Sequence, residues 1–484
     1  MRFPILQETT TYRDMTTVFG GYNHQISCQE GQFFDMKNMT SKYFPVLSPR
    51  QNRGVVKTFS NPQAVLDKED LWWIDDRTLY RNGEKMNLPY VTLTNGKKTM
   101  AKMGAYIIVM PDRVWIKATS YGDVLECGYM ENYSSIENGT EVTFSVCDAQ
   151  GRAITWYNEE YYDTHPEALV DGAYKMTINS NGKPSLKVYS SVTGIWMAVS
   201  SPYTQIKSTG IGIGFEKEDG IKIITNYIGD SLDNIFINAE EEEGYYSTNT
   251  YIVDKTDDII TIPGIYSGRI EPFTDIELSI ERKVPDMDLI TECNNRLWGC
   301  SKDGHEIYCC KLGDVKNWNC FRGNSTDSWA ATIGSDGKFT GATTHLGYPI
   351  FFKEDSFIKI SVSASGGHQT KETKCRGVQN GCDRSLVILN EMLYYKSNSG
   401  VCVYNGSLPY SISDEFGDIN YYDAVAGGIG DKYYISMRDD KGVYTLFCYD
   451  SKNGIWCKED NTKVLAFCKH SDELYFIDAL NCIN

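Results

Sequence analysis

The clearest indication of the fold lies in KYYISMRDDKGVYTLFCYD, residues 432–450. It contains two runs rich in aromatic and β-branched residues, separated by the polar turn Asp439–Gly442. Such runs suit a pleated surface, and the glycine suits a hairpin tip, so the stretch predicts two antiparallel strands. Few stretches of the chain carry apolar residues at helical spacing. We therefore expect a mainly β fold.

Similar hairpins recur in the second half of the chain. They are YPIFFKEDSFIKIS (348–361), MLYYKSNSGVCVYNGS (392–407) and ELYFIDAL (473–480). With Ile350, Leu393, Tyr433 and Leu474 as landmarks, the successive spacings are 43, 40 and 41 residues. A period of about 40–45 residues built from antiparallel strands is typical of a propeller blade. Because a ring of small sheets buries faces that one sheet leaves exposed, we expect a β-propeller of six or seven blades.

Residues 125–283 interrupt this rhythm. They contain 26 Asp+Glu and 11 Lys+Arg, so they carry −15 of the net charge of −17. Turn signals at Asp148–Gly151 and Asn179–Gly182 indicate hairpins of their own. The pattern predicts an inserted β-rich acidic domain at a surface loop. The expected organisation is an N-terminal extended docking segment (1–50), the first blades (51–124), the insertion (125–283) and the remaining blades (284–484).

The composition argues against several classes of protein. A net charge of −17 disfavours a basic nucleic-acid binder. No apolar run approaches the roughly 18 residues of a membrane helix, so we expect no membrane insertion by this chain. The N-terminal stretch becomes polar too early for a secretory signal. An aromatic content of 13% disfavours disorder.

No motif predicts a catalytic, cofactor-binding or metal site. The 15 cysteines include no C-x-x-C pair, and the histidines lack zinc-finger spacing. We interpret the cysteines as small buried hydrophobes of a protein folded in a reducing cytoplasm, with a disulfide framework as the alternative. The glycines of Gly210–Gly214 lack the spacing of a dinucleotide-binding turn, and no P-loop or nucleophile elbow is present.

The acidic run Glu240, Glu241, Glu242 and Glu243 is the strongest local charge feature. One interpretation is a solvated loop tip. The other is the lining of a channel for DNA, because acidic walls repel phosphates whereas basic contacts would hold them.

Several phrases resemble a known group of proteins. FGGYNHQI (19–26) and DMKNMTSKYFPVLSPR (35–50) are similar to the opening of many bacteriophage tail structural proteins. EIYCCKLGDVKNW (306–318) with DSW (327–329), GYPIFFKEDSFIKI (347–360) and PSLKVYSSVTGIW (184–196) are similar to phrases of the same group. The nearest resemblance is to the tail nozzle, or tubular (virion DNA-stabilisation), family of short-tailed phages.

The resemblance implies a virion tail protein, assembled in the host cytoplasm as a homo-oligomer, typically a hexameric ring. It implies docking to a portal or adaptor ring and other tail proteins, a channel through which viral DNA passes without specific contacts, and neither catalysis nor a cofactor. Asn23, Asp35, Asn38 and Arg50 match the opening phrase and are candidate docking residues.

Two other interpretations remain open at the level of sequence. The abundance of tyrosine (33) and tryptophan (9) is compatible with an extracellular β-propeller that binds or cleaves host glycans. A cytoplasmic propeller used as a protein-interaction platform is the third.

Overall fold

A computed structural model describes residues 15–119, 122–226, 235, 239–268, 270–363 and 366–483. Within these residues the fold is almost entirely β. It is a β-propeller with an inserted β-rich acidic domain, as the sequence predicts.

The chain begins with an extended segment that contains two short pairs of strands and a fifth, separate strand. The elements are β1 (Gly21–Tyr22), β2 (Gln32–Phe33), β3 (Met39–Tyr43), β4 (Val46–Pro49) and β5 (Lys57–Thr58).

The first two blades follow, and each is a four-stranded antiparallel sheet. Blade 1 comprises β6 (Pro62–Lys68), β7 (Asp70–Asp75), β8 (Thr78–Arg81) and β9 (Glu84–Lys85). Blade 2 comprises β10 (Thr99–Met103), β11 (Tyr106–Met110), β12 (Val114–Lys117) and β13 (Cys127–Tyr129). The outer strand of blade 2 thus lies beyond the boundary predicted at residue 125.

The insertion runs from β14 to β27. Its first sheet has the order β14-β27-β21-β23-β22, its second β24-β25-β20-β15-β26, and a smaller sheet β16-β17-β18-β19. The bounds are β14 (Asn132–Ile136), β15 (Val142–Cys147), β16 (Trp156–Tyr157), α1 (Glu159–Thr164), β17 (Tyr174–Ile178), β18 (Pro184–Ser190), β19 (Ile195–Ala198), β20 (Tyr203–Lys207), β21 (Gly220–Thr225), β22 (Glu240–Glu242), β23 (Tyr245–Tyr251), β24 (Asp254–Thr256), β25 (Ile259–Pro263), β26 (Pro272–Phe273) and β27 (Leu278–Arg282). Alternate residues of these sheets, such as Phe144, Ile221 and Ile260, are buried in a single core that is separate from the cores of the blades.

Blades 3 to 7 complete the ring. Blade 3 comprises β28 (Met287–Cys293), β29 (Arg296–Ser301), β30 (Glu306–Cys309) and β31 (Trp329–Thr332). Blade 4 comprises β32 (Gly341–His345), β33 (Tyr348–Phe352), β34 (Ser356–Val362) and β35 (His368–Lys374). Blade 5 comprises β36 (Val387–Leu389), β37 (Met392–Ser397), β38 (Gly400–Tyr404) and β39 (Tyr410–Ser411), and blade 6 comprises β40 (Tyr421–Ile429), β41 (Lys432–Asp439), β42 (Tyr444–Asp450) and β43 (Ile455–Asp460). Short 3₁₀ turns lie at Pro166–Ala168, Asp383–Ser385 and Asp414–Phe416.

Blade 7 is assembled from both ends of the described chain. Strands β44 (Val464–His470), β45 (Glu473–Asp478) and β46 (Cys482–Ile483) supply three strands, and β5 supplies the fourth. Cys482 pairs with Thr58, and Ile483 pairs with Lys57. Strand β5 therefore belongs to the last blade, although it falls within the range 51–124 expected for the first blades.

The first strand of each blade lies on the inside of the ring. Strand β10 contacts β6 on one side and β28 on the other, although the insertion separates β10 from β28 in sequence. Contacts between β40, β44 and β6 complete the circle. Two-residue turns join the first two strands of most blades, for example Asn294-Asn295, with φ of 54° and 58°. Asparagine tolerates these left-handed angles, which match the twist of a hairpin.

Candidate functional site

The insertion enters and leaves the propeller through two paired strands. Asn132, the first residue of β14, pairs with Arg282, the last residue of β27. The acidic domain is therefore rooted at one point between blades 2 and 3. Most of the net negative charge of the protein therefore lies in this domain, and the propeller is close to neutral.

A buried ion pair stiffens this root. The Arg282 guanidinium pairs with the Asp219 carboxylate, and both side chains are at most 4% exposed. Arg282 also donates Nε–H to the Met130 carbonyl at 3.0 Å, which ties the insertion to the end of blade 2. Both partners of the ion pair belong to the insertion, so the pair fixes the base of that domain, and the hydrogen bond to Met130 joins this base to blade 2.

A second set of contacts joins the insertion to blade 3. Glu218 accepts hydrogen bonds from Lys311 and, at 2.8 Å, from Arg322. Lys316 donates to Glu216 at 2.6 Å. Acidic side chains of the insertion thus pair with basic side chains of the propeller. This arrangement is expected where a domain of net charge −15 contacts another surface.

The backbones of the insertion and of blade 3 also approach closely at this contact. Asn317 accepts from the Gly220 N–H at 3.0 Å and donates Nδ2–H to the Glu218 carbonyl at 2.6 Å. A Cβ at Gly220 would lie 2.2 Å from the carbonyl carbon of Asn319, so only glycine fits. We call the loop Glu216–Gly220 together with the blade 3 loop Lys311–Arg322 the junction.

No motif in the sequence marks the junction. The phrase EIYCCKLGDVKNW (306–318) supplies Lys311, Lys316 and Asn317, but its pattern predicts only blade strands. No local signal marks Arg282 as buried, because its neighbours Glu281 and Lys283 are charged as well.

The environment shifts the pKa values of the junction acids in opposite directions. Hydrogen bonds from Lys311 and Arg322 lower the pKa of Glu218. Burial raises the pKa of Asp219, although the Arg282 charge opposes it. The Glu218 carboxylate is therefore stabilised as an anion, whereas at Asp219 the Arg282 charge and the Glu216 N–H oppose the effect of burial on the pKa.

The predicted channel-lining acids lie on an exposed edge of the insertion. Glu240, Glu241 and Glu242 form β22, which pairs only with β23, and all three side chains are exposed. Glu243 begins the two-residue turn to β23, with φ of 53°. Charged side chains on an edge strand discourage pairing with other chains. Their role toward DNA stays a prediction.

The predicted docking residues Asn23 and Asp35 make contacts within the chain. Asn23 is buried and donates Nδ2–H to Gln32 Oε1 at 2.6 Å. Asp35 pairs with Lys458 of blade 6 at 2.8 Å.

Asn38 and Arg50 likewise join the N-terminal segment to blade 6. The Asn38 N–H donates to the Glu459 carbonyl, and the Arg50 N–H donates to the Asn38 carbonyl at 2.8 Å. The Arg50 guanidinium pairs with Asp460 at 2.7 Å. Asp35, Asn38 and Arg50 thus hold the segment against the outer strand of blade 6, whereas Asn23 bonds within the segment. A role of the four residues toward another protein stays a prediction.

The N-terminal segment exposes several large apolar side chains. Nine large hydrophobic side chains between residues 15 and 56 are 36–102% exposed. They are Met15, Val18, Ile26, Phe34, Tyr43, Phe44, Val46, Val55 and Val56. We call this set the N-terminal apolar patch. Exposed apolar groups concentrated in one segment are typical of an interaction surface.

A group of aromatic rings lies on the smaller sheet of the insertion. Tyr157, Tyr161 and His165 stack in a column with centroid distances of 3.9 and 4.5 Å. Tyr162 packs against Trp196 at 5.2 Å. Lys175 lies over the Trp196 ring at 4.6 Å and pairs with Glu159. Partly exposed rings beside charged groups can stack on sugars or on other aromatic groups.

The cysteines behave as the sequence predicts. In the part of the chain that the structure describes, none of the 15 forms a disulfide, and 11 of them are buried. Burial raises the pKa of Cys457 to about 11, which keeps this thiol protonated at neutral pH.

Two further tests concern metals and membranes. Among the described residues no group of three or more His, Cys, Asp or Glu is arranged to hold a metal ion. In the same part of the chain no helix has the length and apolarity needed to span a bilayer.

No known family model and no curated protein sequence matches the chain. Several solved structures are distantly similar. The dihydro-haem d1 dehydrogenase NirN is 11% identical with a TM-score of 0.30, covering 86% of this chain and 68% of NirN. Puromycin hydrolase is 10% identical (TM-score 0.25; 87% and 58% covered), and apo AztD from Citrobacter koseri is 9% identical (TM-score 0.24; 78% and 89% covered). These similarities are too weak to support an argument about chemistry.

Proposed function

We propose that this protein is a non-enzymatic structural component of a bacteriophage tail, which forms a ring around the DNA exit channel and helps to retain and eject the genome. The resemblance of the opening and blade phrases suggests the class. The observation that carries the proposal is the separation of charge between two bodies that contact each other at the junction, a nearly neutral propeller and an insertion of net charge −15.

This separation suits a conduit for a polyanion. A neutral propeller can pack against copies of itself without strong repulsion, whereas an acidic arm repels phosphates from the surface it covers. The Arg282–Met130 hydrogen bond and the junction hold the insertion against the propeller, so the acidic surface keeps its position relative to the ring.

The N-terminal apolar patch supports assembly. The same segment contains the polar residues Asn23, Asp35, Asn38 and Arg50, which make contacts within the chain. The apolar side chains of the patch remain exposed. Burial of such side chains is the main driving force for stable association. The patch is the surface we assign to the portal, the adaptor or a neighbouring copy.

The proposal is tested by mass photometry of the purified full-length chain and by cryo-EM of purified phage particles. We expect a closed ring, of six copies by the resemblance, and the same density in the tail of the particle. A strictly monomeric protein that is absent from particles would overturn the proposal.

A second candidate function, glycan binding by an extracellular propeller, is favoured by the aromatic group around Tyr161 and Trp196. Tyrosine and tryptophan rings stack on the apolar faces of sugars. A glycan array with the intact protein and with Trp196→Ala tests it. Specific binding that the variant loses would support this function, and an empty array would remove it.

A further inference from the structure

The N-terminal segment and the insertion lie half a turn apart on the propeller. Strands β1 and β3 of the segment pack on β43, the outer strand of blade 6. The insertion leaves the ring between blades 2 and 3, where Asn132 pairs with Arg282. Contacts between neighbouring blades order them from 1 to 7 around the ring, so two blades separate the segment from the insertion in either direction. A subunit with two surfaces on opposite sides can bind copies of itself head to tail.

The β3–β4 hairpin presents aromatic and positively charged side chains on the first of these surfaces. Its tip exposes Tyr43 and Phe44. Lys42 precedes the tip and lies 5.7 Å from the centre of the Tyr43 ring. Lys37, which lies just before β3, is exposed as well. In the described part of the chain neither lysine has a carboxylate within 4.0 Å, so both charges are available to a partner.

A groove of about 570 Å³ lies on the first sheet of the insertion. Ser135, Ile224 and Ser279, from three neighbouring strands, form part of its lining. Ile223 and Ile280 precede or follow these residues in sequence and are buried in the core of the insertion. Because successive side chains of a strand point to opposite faces, the groove lies on the outward face of the sheet.

The groove combines exposed aromatic rings with negative charge. Tyr133 and Tyr245 contribute the rings, and both side chains are exposed. Glu137 and Glu277 contribute two carboxylates, and Glu277 accepts a hydrogen bond from the Tyr245 hydroxyl at 2.6 Å. Among the described residues no lysine or arginine nitrogen lies within 4.0 Å of either carboxylate. The groove therefore matches the hairpin in aromatic character and is opposite to it in charge.

This opposition favours one occupant for each surface. Two hairpins in contact would bring Lys37 and Lys42 of both copies together, and two grooves would do the same with Glu137 and Glu277. Like charges across an interface are unfavourable, so neither surface suits a contact with itself. A hairpin in a groove brings lysines to carboxylates and buries aromatic side chains of both copies, which are typical anchors of interfaces.

We propose that the tip of the β3–β4 hairpin binds in the groove of a second copy of this chain, with Tyr43 and Phe44 against Tyr133 and Tyr245 and the lysines beside the carboxylates. Repetition of one head-to-tail contact gives a ring when the rotation between copies closes. The inference rests on the proposed ring and names the contact that would build it.

The test is analytical ultracentrifugation of the full-length chain with two variants. Tyr43→Ser/Phe44→Ser disables the hairpin, and Glu137→Lys/Glu277→Lys disables the groove. We expect each variant alone to lower the fraction of chains in rings at least tenfold relative to the wild type. An equimolar mixture retains one intact hairpin and one intact groove, so it should form dimers with one copy of each variant and no rings. Such dimers also show that both variants are folded.

The matched controls change similar side chains elsewhere. Tyr90→Ser/Leu480→Ser removes exposed apolar groups of the propeller, and Asp163→Lys/Glu167→Lys reverses exposed acids of the insertion outside the groove. Both should leave ring formation unchanged.

Rings that persist in either disabled variant, or a mixture without dimers, would overturn the contact and leave the proposed tail function standing. A wild type that stays monomeric at every concentration would also overturn the contact. The tail function is then decided separately, by whether the protein is present in purified particles.

Discussion

Two buried ion pairs lie inside the two bodies of this protein. Arg282 with Asp219 lies at the base of the insertion, and Lys98 with Asp112 lies in the propeller. Such pairs contribute little net stability compared with apolar packing, but the loss of one partner is costly. Single substitutions at these residues should therefore have large effects on stability.

The Lys98–Asp112 pair gives a first prediction. Lys98→Met leaves a carboxylate only 2% exposed without its cation and should lower the free energy of unfolding by about 3–5 kcal/mol. The double variant Lys98→Met/Asp112→Asn removes both charges and keeps an acceptor for the Thr94 N–H, so it should recover at least half of that loss. Denaturant titration measures both. Equal destabilisation by the single and double variants would contradict the explanation.

Glu218 gives a prediction on pH. Its pKa in the folded protein is lowered below the ordinary 4.5, so its contribution to stability is complete above pH 4.5 and is lost as the pH falls through the folded value. Glu218→Gln should therefore destabilise the insertion by about 1 kcal/mol or less at pH 7, since the carboxylate is half exposed. The difference from the wild type should shrink below pH 4.5.

Thermal unfolding at pH 7 and at pH 3.5 measures this difference. Glu271→Gln is the control, because Glu271 is an exposed acid of the same domain with no partner among the described residues. A loss at pH 7 that persists unchanged at pH 3.5 would show that the Glu218 charge is not the cause.

At the scale of elements, the shortest strands have the largest structural roles. Strand β5 has two residues, yet it completes blade 7 by pairing with β46. Phe59, the next residue, donates its N–H to the Asn481 carbonyl at 2.8 Å and is buried beside Trp73. The preceding segment covers the outer edge of blade 6, which would otherwise be open to other chains.

Two truncations separate these roles. A chain that begins at Arg53 keeps β5 and should retain a folded propeller with an uncovered edge on blade 6 and a tendency to associate. A chain that begins at Ser60 loses closure as well and should unfold at a much lower temperature. Thermal unfolding and limited proteolysis distinguish them, and equal stability of the two chains would show that β5 does not close the ring.

Strand β22 gives a prediction for the proposed channel. Glu240, Glu241 and Glu242 are exposed, so their joint replacement by Lys should leave folding intact. If β22 faces the lumen, particles with this variant should eject DNA more slowly. The control replaces Glu84, Asp418 and Asp472, exposed acids of the propeller, by Lys. Equal ejection kinetics in both variants and the wild type would place β22 away from the DNA.

The sequence predicted long elements and failed on short ones. Hairpins such as 432–450 have enough residues for alternation to be visible. In contrast, Cys127–Tyr129 and Lys57–Thr58 are too short for a period of two, and their pairing depends on strands distant in sequence. For the same reason no local pattern marks Arg282, because its burial depends on a contact with Met130, which is distant in sequence.

At the scale of the molecule, the insertion is an addition to a ring that is already closed. Strand β10 contacts β28 directly, and the ends of the insertion, Asn132 and Arg282, are partners in one ladder. The insertion also has its own apolar core. Both bodies therefore have what an independent fold needs, and the junction adds orientation.

Excision tests this independence. Joining Glu131 to Lys283 through Asn-Gly, which suits a two-residue hairpin turn, should give a folded propeller with about the wild-type content of β structure. Circular dichroism and size-exclusion chromatography measure the outcome. Loss of cooperative unfolding in the shortened chain would show that the propeller needs the insertion to form.

The pairing of β5 with β46 also imposes an order on synthesis. Every strand of the acidic domain lies between Asn132 and Arg282, so that domain can fold while later blades are still being translated. The propeller ring stays open until the ribosome has made Ile483, because Lys57 pairs with that residue. A nascent chain can thus carry a folded acidic domain on a propeller that is still open. Only a chain translated past Ile483 has the closed propeller that assembly requires.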